Sequence, residues 1–273
     1  MLKDITLGQY FPGTSVLHRL DPRVKIILTV FYITAVFICS NIFSFVLVTA
    51  YTLILILISR IPIKIILKGM KPLLMIIVFT AIINVFWTKG EKLLIEWGII
   101  KIYLEGVIFA VLMIIRISAL LMGTSVILTY TTSPISLTDG LERLLAPLKK
   151  IRMPVHEFAM MMTIALRFIP TLIEETDKIM SAQKARGADF ASGSLVQRAK
   201  ALIPVLIPLF VSAFRRADEL AVAMECRCYR GGDGRTRMTV LRLHPADFVM
   251  CALFVVGAAS LVLCNIFAPG FSI

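Results

Sequence analysis

Apolar residues dominate five stretches of the chain, 24–41, 42–58, 71–87, 106–130 and 248–267. Each approaches the ~20 residues that an α-helix needs to cross hydrocarbon, so five membrane spans are predicted. Between the fourth and fifth the pattern changes. From Val155 to Lys184 the positions Phe158, Met162, Ala165, Ile169, Leu172, Thr176 and Ile179 recur every three or four residues, with Arg167, Glu174, Glu175, Asp177 and Lys178 opposite. That period predicts one long amphipathic helix. Val196, Ala199, Ile203, Leu206, Phe210, Ala213, Ala217, Leu220 and Met224 predict a second from Leu195 to Met224, with Arg215 and Glu219 spaced for an i,i+4 pair. A shorter helix, Leu137 to Lys150, precedes them. Pro170, Pro204 and Pro208 fall inside the long helices and are expected to bend them. Asp189, Ser192, Gly193 and Ser194 mark a turn between the two, and Gly231, Gly232 and Gly234 end the second, so a helical hairpin is expected.

The predicted fold is therefore an all-α membrane protein, with about five transmembrane helices and a water-facing domain of long amphipathic helices. Residues 1–130 hold the N-terminal arm and four spans, 131–245 the amphipathic domain, and 246–273 the last span. Composition agrees, because 58% hydrophobic residues and a mean hydropathy of +0.89 exceed what a soluble core of this size requires. No removable leader is expected near Met1, since the first apolar run lacks a small-residue cleavage pattern. Cys39, Cys251 and Cys264 lie in apolar runs, and Cys226 and Cys228 fall in the amphipathic domain, so structural disulfides are not expected.

Charge sets the expected orientation. Arg60, Lys64, Lys68 and Lys71 stand between spans two and three without an acid, and Lys3, Arg19, Arg23 and Lys25 outnumber Asp4 and Asp21 in the N-terminal arm. Both segments are read as cytoplasmic. Lys89, Lys92 and Lys101 are balanced by Glu91, Glu96 and Glu105 in the next loop, which suits the outer side. Parity then places 131–245 in the cytoplasm and Ile273 outside. The amphipathic domain holds 17 of the 29 Lys and Arg and 11 of the 17 Asp and Glu, half of the net +12.

The candidate chemistry is cationic recognition. Arg186 closes the first long helix and Arg227 the second, each near a C-terminus where the helix dipole favours a cation. A single such arginine reads as dipole compensation. Two in matching settings read as paired grips for an acidic soluble partner, because a guanidinium fork binds carboxylates through two parallel hydrogen bonds. Arg116 lies within the fourth span, where a charge is costly, and is expected to face the bundle interior, a partner subunit or water. Met160, Met161 and Met162 read as filler or as an adaptable contact surface.

Enzymatic motifs are incomplete. Gly231-Gly232-Asp233-Gly234-Arg235 lacks the Lys-Ser/Thr ending of a phosphate loop, and His156-Glu157 is followed by Met160 where a zinc protease needs histidine. Glu174-Glu175 reads as a solvated face, with Lys178 as an i,i+4 partner, and Cys226-x-Cys228 has no second pair to complete a metal site. Anionic lipid accounts for the basic excess beside the membrane, and no nucleic acid is expected.

Taken together, Leu20-Asp21-Pro22-Arg23-Val24-Lys25, Arg116, Thr131-Thr132-Ser133-Pro134, Ala165-Leu166-Arg167-Phe168-Ile169-Pro170, Ala182-Gln183-Lys184-Ala185-Arg186-Gly187 and Phe214-Arg215-Arg216-Ala217-Asp218-Glu219 carry a resemblance. Over nearly its whole length the chain resembles the transmembrane coupling (T) component of energy-coupling factor transporters, which import vitamins and metal ions in prokaryotes. The resemblance implies that the long helices are coupling helices. Their X-Arg-X motifs, Ala185-Arg186-Gly187 and Cys226-Arg227-Cys228, would dock into grooves of two ABC-type ATPase subunits, the second departing from the common Ala-Arg-Gly form. It also implies no catalysis and no cofactor in this chain, ATP and Mg being bound by the ATPases. A small membrane substrate-binding (S) subunit would carry the solute, and the location would be the prokaryotic cell membrane, with the N-terminus cytoplasmic and the C-terminus outside. The alternatives are a permease that binds its own solute, which would show inverted repeats or broken helices, and an intramembrane hydrolase.

Overall fold

The computed structural model describes residues 10–88, 93–97, 100–190, 192, 194–232 and 241–267. Of the positions singled out above, Lys3, Asp4, Lys89, Glu91, Lys92, Gly193, Asp233, Gly234, Arg235 and Ile273 lie outside these residues. The described residues run α1 (Val16–Arg19), α2 (Pro22–Ile38), α3 (Ile42–Ser59), α4 (Ile63–Trp87), β1 (Leu93–Trp97), β2 (Ile100–Tyr103), α5 (Leu104–Thr124), α6 (Pro134–Leu145), α7 (Val155–Ala185), α8 (Leu195–Cys226) and α9 (Pro245–Phe267). A π turn, Ser125–Thr129, prolongs α5, and a 3-10 turn, Ala146–Ile151, follows α6. The protein is an all-α membrane protein; its described residues include a short antiparallel hairpin, β1–β2, in which Glu96 is the backbone partner of Lys101. Among the described residues six helices are long and apolar enough to cross a membrane: α3, α4, α5 with its π turn, α7, α8 and α9. By that measure α7 and α8 qualify although their sequences are amphipathic, and α2, with 17 residues, falls just short.

Contacts divide the described chain into two units, residues 10–141 with 241–267, and residues 142–232. In the first unit α2 packs against α5 and α9, and α3 packs against α5 and α9. Leu28, Tyr32, Val36, Phe45, Val48, Leu55, Ala119 and Phe254 are among its buried apolar side chains. Tyr32 is the polar pin of this core: its hydroxyl donates to the Ala119 carbonyl at 2.9 Å and meets the Thr52 hydroxyl at 2.8 Å. The ring fits because position 123 is glycine. A Cβ there would stand 2.3 Å from the Tyr32 ring, inside any allowed contact.

Polar residues tie both ends of α2. At its start Asp21 is the N-cap, accepting the Arg23 N–H at 2.9 Å, and Pro22 supplies a preset φ in the first turn. The buried Asp247 carboxylate accepts the Asp21 N–H at 2.9 Å and the His244 N–H at 2.6 Å, which joins the start of α9 to the start of α2. Lys25 is also buried and donates to the carbonyls of Thr131, at 2.8 Å, and His18, at 3.3 Å. At the other end Asn265 of α9 donates to the Ile38 carbonyl at 2.6 Å and accepts from the Ser44 hydroxyl at 2.6 Å.

One helix begins earlier than its hydropathy implied. Lys64, Lys68 and Lys71, expected in the loop before a span, sit in the first turns of α4. Ile63, Ile65, Ile66 and Leu67 alternate with them, and Lys64, Lys68 and Lys71 are exposed on the helix. The long stems of exposed lysines reach water from such positions.

Candidate functional site

The second unit is built on α7 and α8. Ser194 and Gln197 start α8 with a capping box, the Ser194 hydroxyl accepting the Gln197 N–H and the Gln197 carbonyl oxygen accepting the Ser194 N–H. Both helices run through their internal prolines, Pro170 in α7 and Pro204 and Pro208 in α8. Their pairing is antiparallel. Gln183 near the end of α7 donates to the Pro204 carbonyl at 3.4 Å, while Glu175, earlier in α7, pairs with Arg216, later in α8, at 3.0 Å. Met160, near the start of α7, shares a recess of about 310 Å³ with Met224, Arg227, Cys228 and Arg230 at the end of α8. Consequently Arg186 and Arg227 stand at opposite ends of the hairpin. Some 26 residues of α7 separate Arg186 from the level of Arg227, which at 1.5 Å per residue is roughly 40 Å.

The two tips share one backbone design. Arg186 is the C-cap of α7 with φ −87° and ψ 7°, and Arg227 the C-cap of α8 with φ −92° and ψ 14°. Beyond Arg186, the Ala188 N–H reaches the Gln183 carbonyl at 3.0 Å and the Gly187 N–H the Lys184 carbonyl at 2.9 Å. Beyond Arg227, the Tyr229 N–H reaches the Met224 carbonyl at 3.0 Å and the Cys228 N–H the Glu225 carbonyl at 2.8 Å. These are paired Schellman closures, each with a left-handed residue directly after the arginine: Gly187 at φ 88° and Cys228 at φ 53°. The departure from Ala-Arg-Gly thus leaves the geometry intact. Cysteine meets a steric penalty of about 1–2 kcal/mol in that conformation that glycine does not.

Both guanidiniums are exposed, and neither has an ion-pair partner among the described residues. Ala185, Gly187, Cys226 and Cys228 are exposed around them. The tips differ in their support. Behind Arg227, His156 at the start of α7 pairs with Glu142 at 2.9 Å, and Gly232 lies so close that a Cβ would come within 2.4 Å of the His156 ring. Past Arg186, Asp189 accepts the N–H and hydroxyl of Ser192, which shapes the turn toward α8.

The periodic apolar positions Ile203, Leu206 and Phe210 of α8 are exposed, as are Phe158 and Met162 of α7. The buried positions are Ala159 and Val205, and the face of α8 toward α7 carries Pro204, Ser212 and Arg216. Arg216 with Glu175, not Arg215 with Glu219, is the ion pair formed here. Ile203, Ile207, Phe210, Val211 and Phe214 therefore leave a long apolar stripe uncovered within this unit.

Arg116 belongs to the first unit. Its Nη2 donates to the Cys39 carbonyl, the C-cap of α2, at 2.5 Å, and its guanidinium lies 5.0 Å from the Phe45 ring centre. A cation at a helix C-terminus and over an aromatic face is well placed to hold the α2–α3 turn. Its Nε has no partner among the described residues. Among those residues no group of three or more His, Cys, Asp or Glu could hold a metal ion.

The family described as cobalt transport protein, CbiQ, matches residues 13–238. An energy-coupling factor transporter transmembrane protein of Clostridium kluyveri is 56% identical over 259 residues, covering 94% of this chain and 96% of the relative. Proteins of the same description are 56% identical over 256 residues in Ruminiclostridium cellulolyticum, covering 94% and 95%, and 45% identical over 261 residues in Bacillus subtilis, covering 96% and 98%.

Proposed function

Because the chain belongs to the CbiQ cobalt transport protein family, we propose that it is the coupling scaffold of an energy-coupling factor importer. In this reading two ABC-type ATPases dock on Arg186 and Arg227, and a separate small membrane subunit binds the vitamin or metal ion. The chain itself carries out no catalysis, and ATP and Mg reside in the ATPases. Movement of the ATPases displaces the two ends of the α7–α8 hairpin. The exposed apolar stripe of α8 then transmits that displacement toward the substrate-binding subunit.

The observation that carries the reading is the equivalence of the two tips. Two closures of the same design, each presenting one arginine with no ion-pair partner among the described residues and set roughly 40 Å apart, suit two copies of one kind of partner better than a single acidic ligand. Each arginine would donate two parallel hydrogen bonds to a partner carboxylate. Co-purification of the chain with tagged ATPases, beside an uptake assay, tests this. Wild-type assembly and transport by an Arg186→Ala/Arg227→Ala chain would overturn it.

A further inference from the structure

A recess of about 510 Å³ opens in the first unit where α1 meets the end of α3. Thr14, Arg19 and Arg60 form its polar wall, and Val16, Leu57 and Ile58 its apolar one. The two arginines arrive from different elements, Arg19 from the last turn of α1 and Arg60 from the C-cap of α3. Both are exposed, and neither has an ion-pair partner among the described residues.

The recess is held rigidly on both sides. Ser15 meets His18 Nδ1 at 2.6 Å, His18 Nε2 meets the Phe11 carbonyl at 2.9 Å, and Leu17 is wholly buried, so the short α1 is pinned in place. Arg60 occupies the left-handed region at φ 55°, an unfavourable setting for an arginine. The Ser59 hydroxyl bonds on either side of it, donating to the Ile56 carbonyl at 2.6 Å and accepting the Ile61 N–H at 3.3 Å. This turn holds the Arg60 backbone where its side chain lines the recess.

Depth identifies the ligand. Ser59 ends a helix long and apolar enough to cross the membrane, which puts the recess at the level of lipid headgroups. Leu53, Ile54 and Leu57 continue from it along α3 as exposed apolar side chains, Leu57 being 75% exposed. We propose that this recess binds one anionic phospholipid, its phosphodiester held by the guanidiniums of Arg19 and Arg60 and an acyl chain laid along α3. Thr14 offers a hydroxyl to the same phosphate. Two guanidiniums with no acid in the lining favour a net negative headgroup over a zwitterionic one, whose own amine they repel.

Lys64, Lys68 and Lys71 on α4 supply a general positive field near the membrane surface, so the experiment separates a discrete site from that field. The full-length chain, purified in detergent and stripped of lipid, is titrated with phosphatidylglycerol or phosphatidylcholine, and bound lipid is counted by native mass spectrometry. One phosphatidylglycerol is expected to be retained with a preference of about tenfold. Arg19→Gln and Arg60→Asn each reduce the preference, and together they remove it; asparagine is chosen at position 60 because it tolerates the left-handed conformation. Lys68→Gln/Lys71→Gln, which removes the same charge outside the recess, leaves it unchanged. If Arg60→Asn does not fold, Arg19→Gln alone must still lower the preference about threefold. An equal loss in the two-lysine variant, no loss in the arginine variants, or displacement of the lipid by millimolar inorganic phosphate would each overturn the proposal.

Discussion

Gly187 and Cys228 hold equivalent places, each one residue beyond an exposed arginine and each in the left-handed conformation that closes its helix. At Gly187 an added Cβ meets nothing within 4 Å, so any penalty for substitution there is conformational and not steric crowding. The backbone closes the same way after each arginine, but only Gly187 adopts that conformation without a steric penalty.

Substitutions at these two positions should accordingly follow left-handed propensity and not side-chain size. Cys228→Gly is expected to stabilise the α8 tip by about 1 kcal/mol and leave ATPase binding intact. Gly187→Val should weaken binding about tenfold, whereas Gly187→Asn retains most of it. Affinity for the tagged ATPases, read beside helix content, checks this. A binding order set by residue volume would sink the idea.

Much of the fold was legible because a membrane imposes a strong local signal. The runs around Val48, Leu112 and Phe254 became α3, α5 and α9, and the period through Ile169 and Leu172 became α7. Other features were illegible for identifiable reasons. Asp247 joins Asp21 from the far end of the chain, and no local pattern announces that pairing. Cysteine is not a left-handed residue, so the closure at Cys228 had no sequence signature, whereas Gly187 did. The exposure of Ile203 and Phe210 teaches a further point. Apolar periodicity tells which face of α8 avoids water, but not whether protein or lipid covers it.

Position 123 offers a sharp packing test. Gly123→Ala would drive a Cβ into the Tyr32 ring and disturb its bonds to Thr52 and Ala119, at a cost of about 1–3 kcal/mol. Gly257→Ala faces Tyr51 at an ordinary 3.4 Å and should be mild. Thermal melting in detergent should rank Gly123→Ala clearly below Gly257→Ala.

The buried Asp247 and Lys25 should behave as a coupled pair. Asp247→Ala leaves the Asp21 and His244 N–H groups unpaired and strips Lys25 of a neighbouring negative charge, for a loss of about 3–5 kcal/mol. A Lys25→Met/Asp247→Ala chain should lose less than the sum of Lys25→Met and Asp247→Ala alone. Strict additivity in a double-mutant cycle of melting temperatures would show that the two do not interact.

Orientation is testable by labelling. In a chain stripped of its five native cysteines, a cysteine at position 189 is expected to react with a membrane-impermeant reagent only from the cytoplasm, and one at position 91 only from outside. The ground is the basic set Arg60, Lys64, Lys68 and Lys71 around the start of α4, against the balanced residues from Lys89 to Glu105. Reversed accessibility would invert the topology.

Arg186 and Arg227 provide the most decisive prediction. Arg186→Ala and Arg227→Ala should each weaken association with the ATPase pair, and the double change should nearly abolish both assembly and uptake while the chain stays inserted and folded. Removing one member of a hydrogen-bonded charge pair buried at an interface costs about 2–5 kcal/mol, against about 0–1 kcal/mol for an exposed end charge. The two tips are separate, with Arg227 backed by His156 and Gly232 and Arg186 by the Asp189 turn, so their single effects should add. Lysine at either position should restore only part of the binding, because it keeps the charge and loses the planar fork. Quantitative co-purification and transport by the wild-type, alanine and lysine chains give the answer. Full rescue by lysine would leave charge without the fork as the determinant, and normal assembly of the double alanine chain would remove the tips from the coupling mechanism.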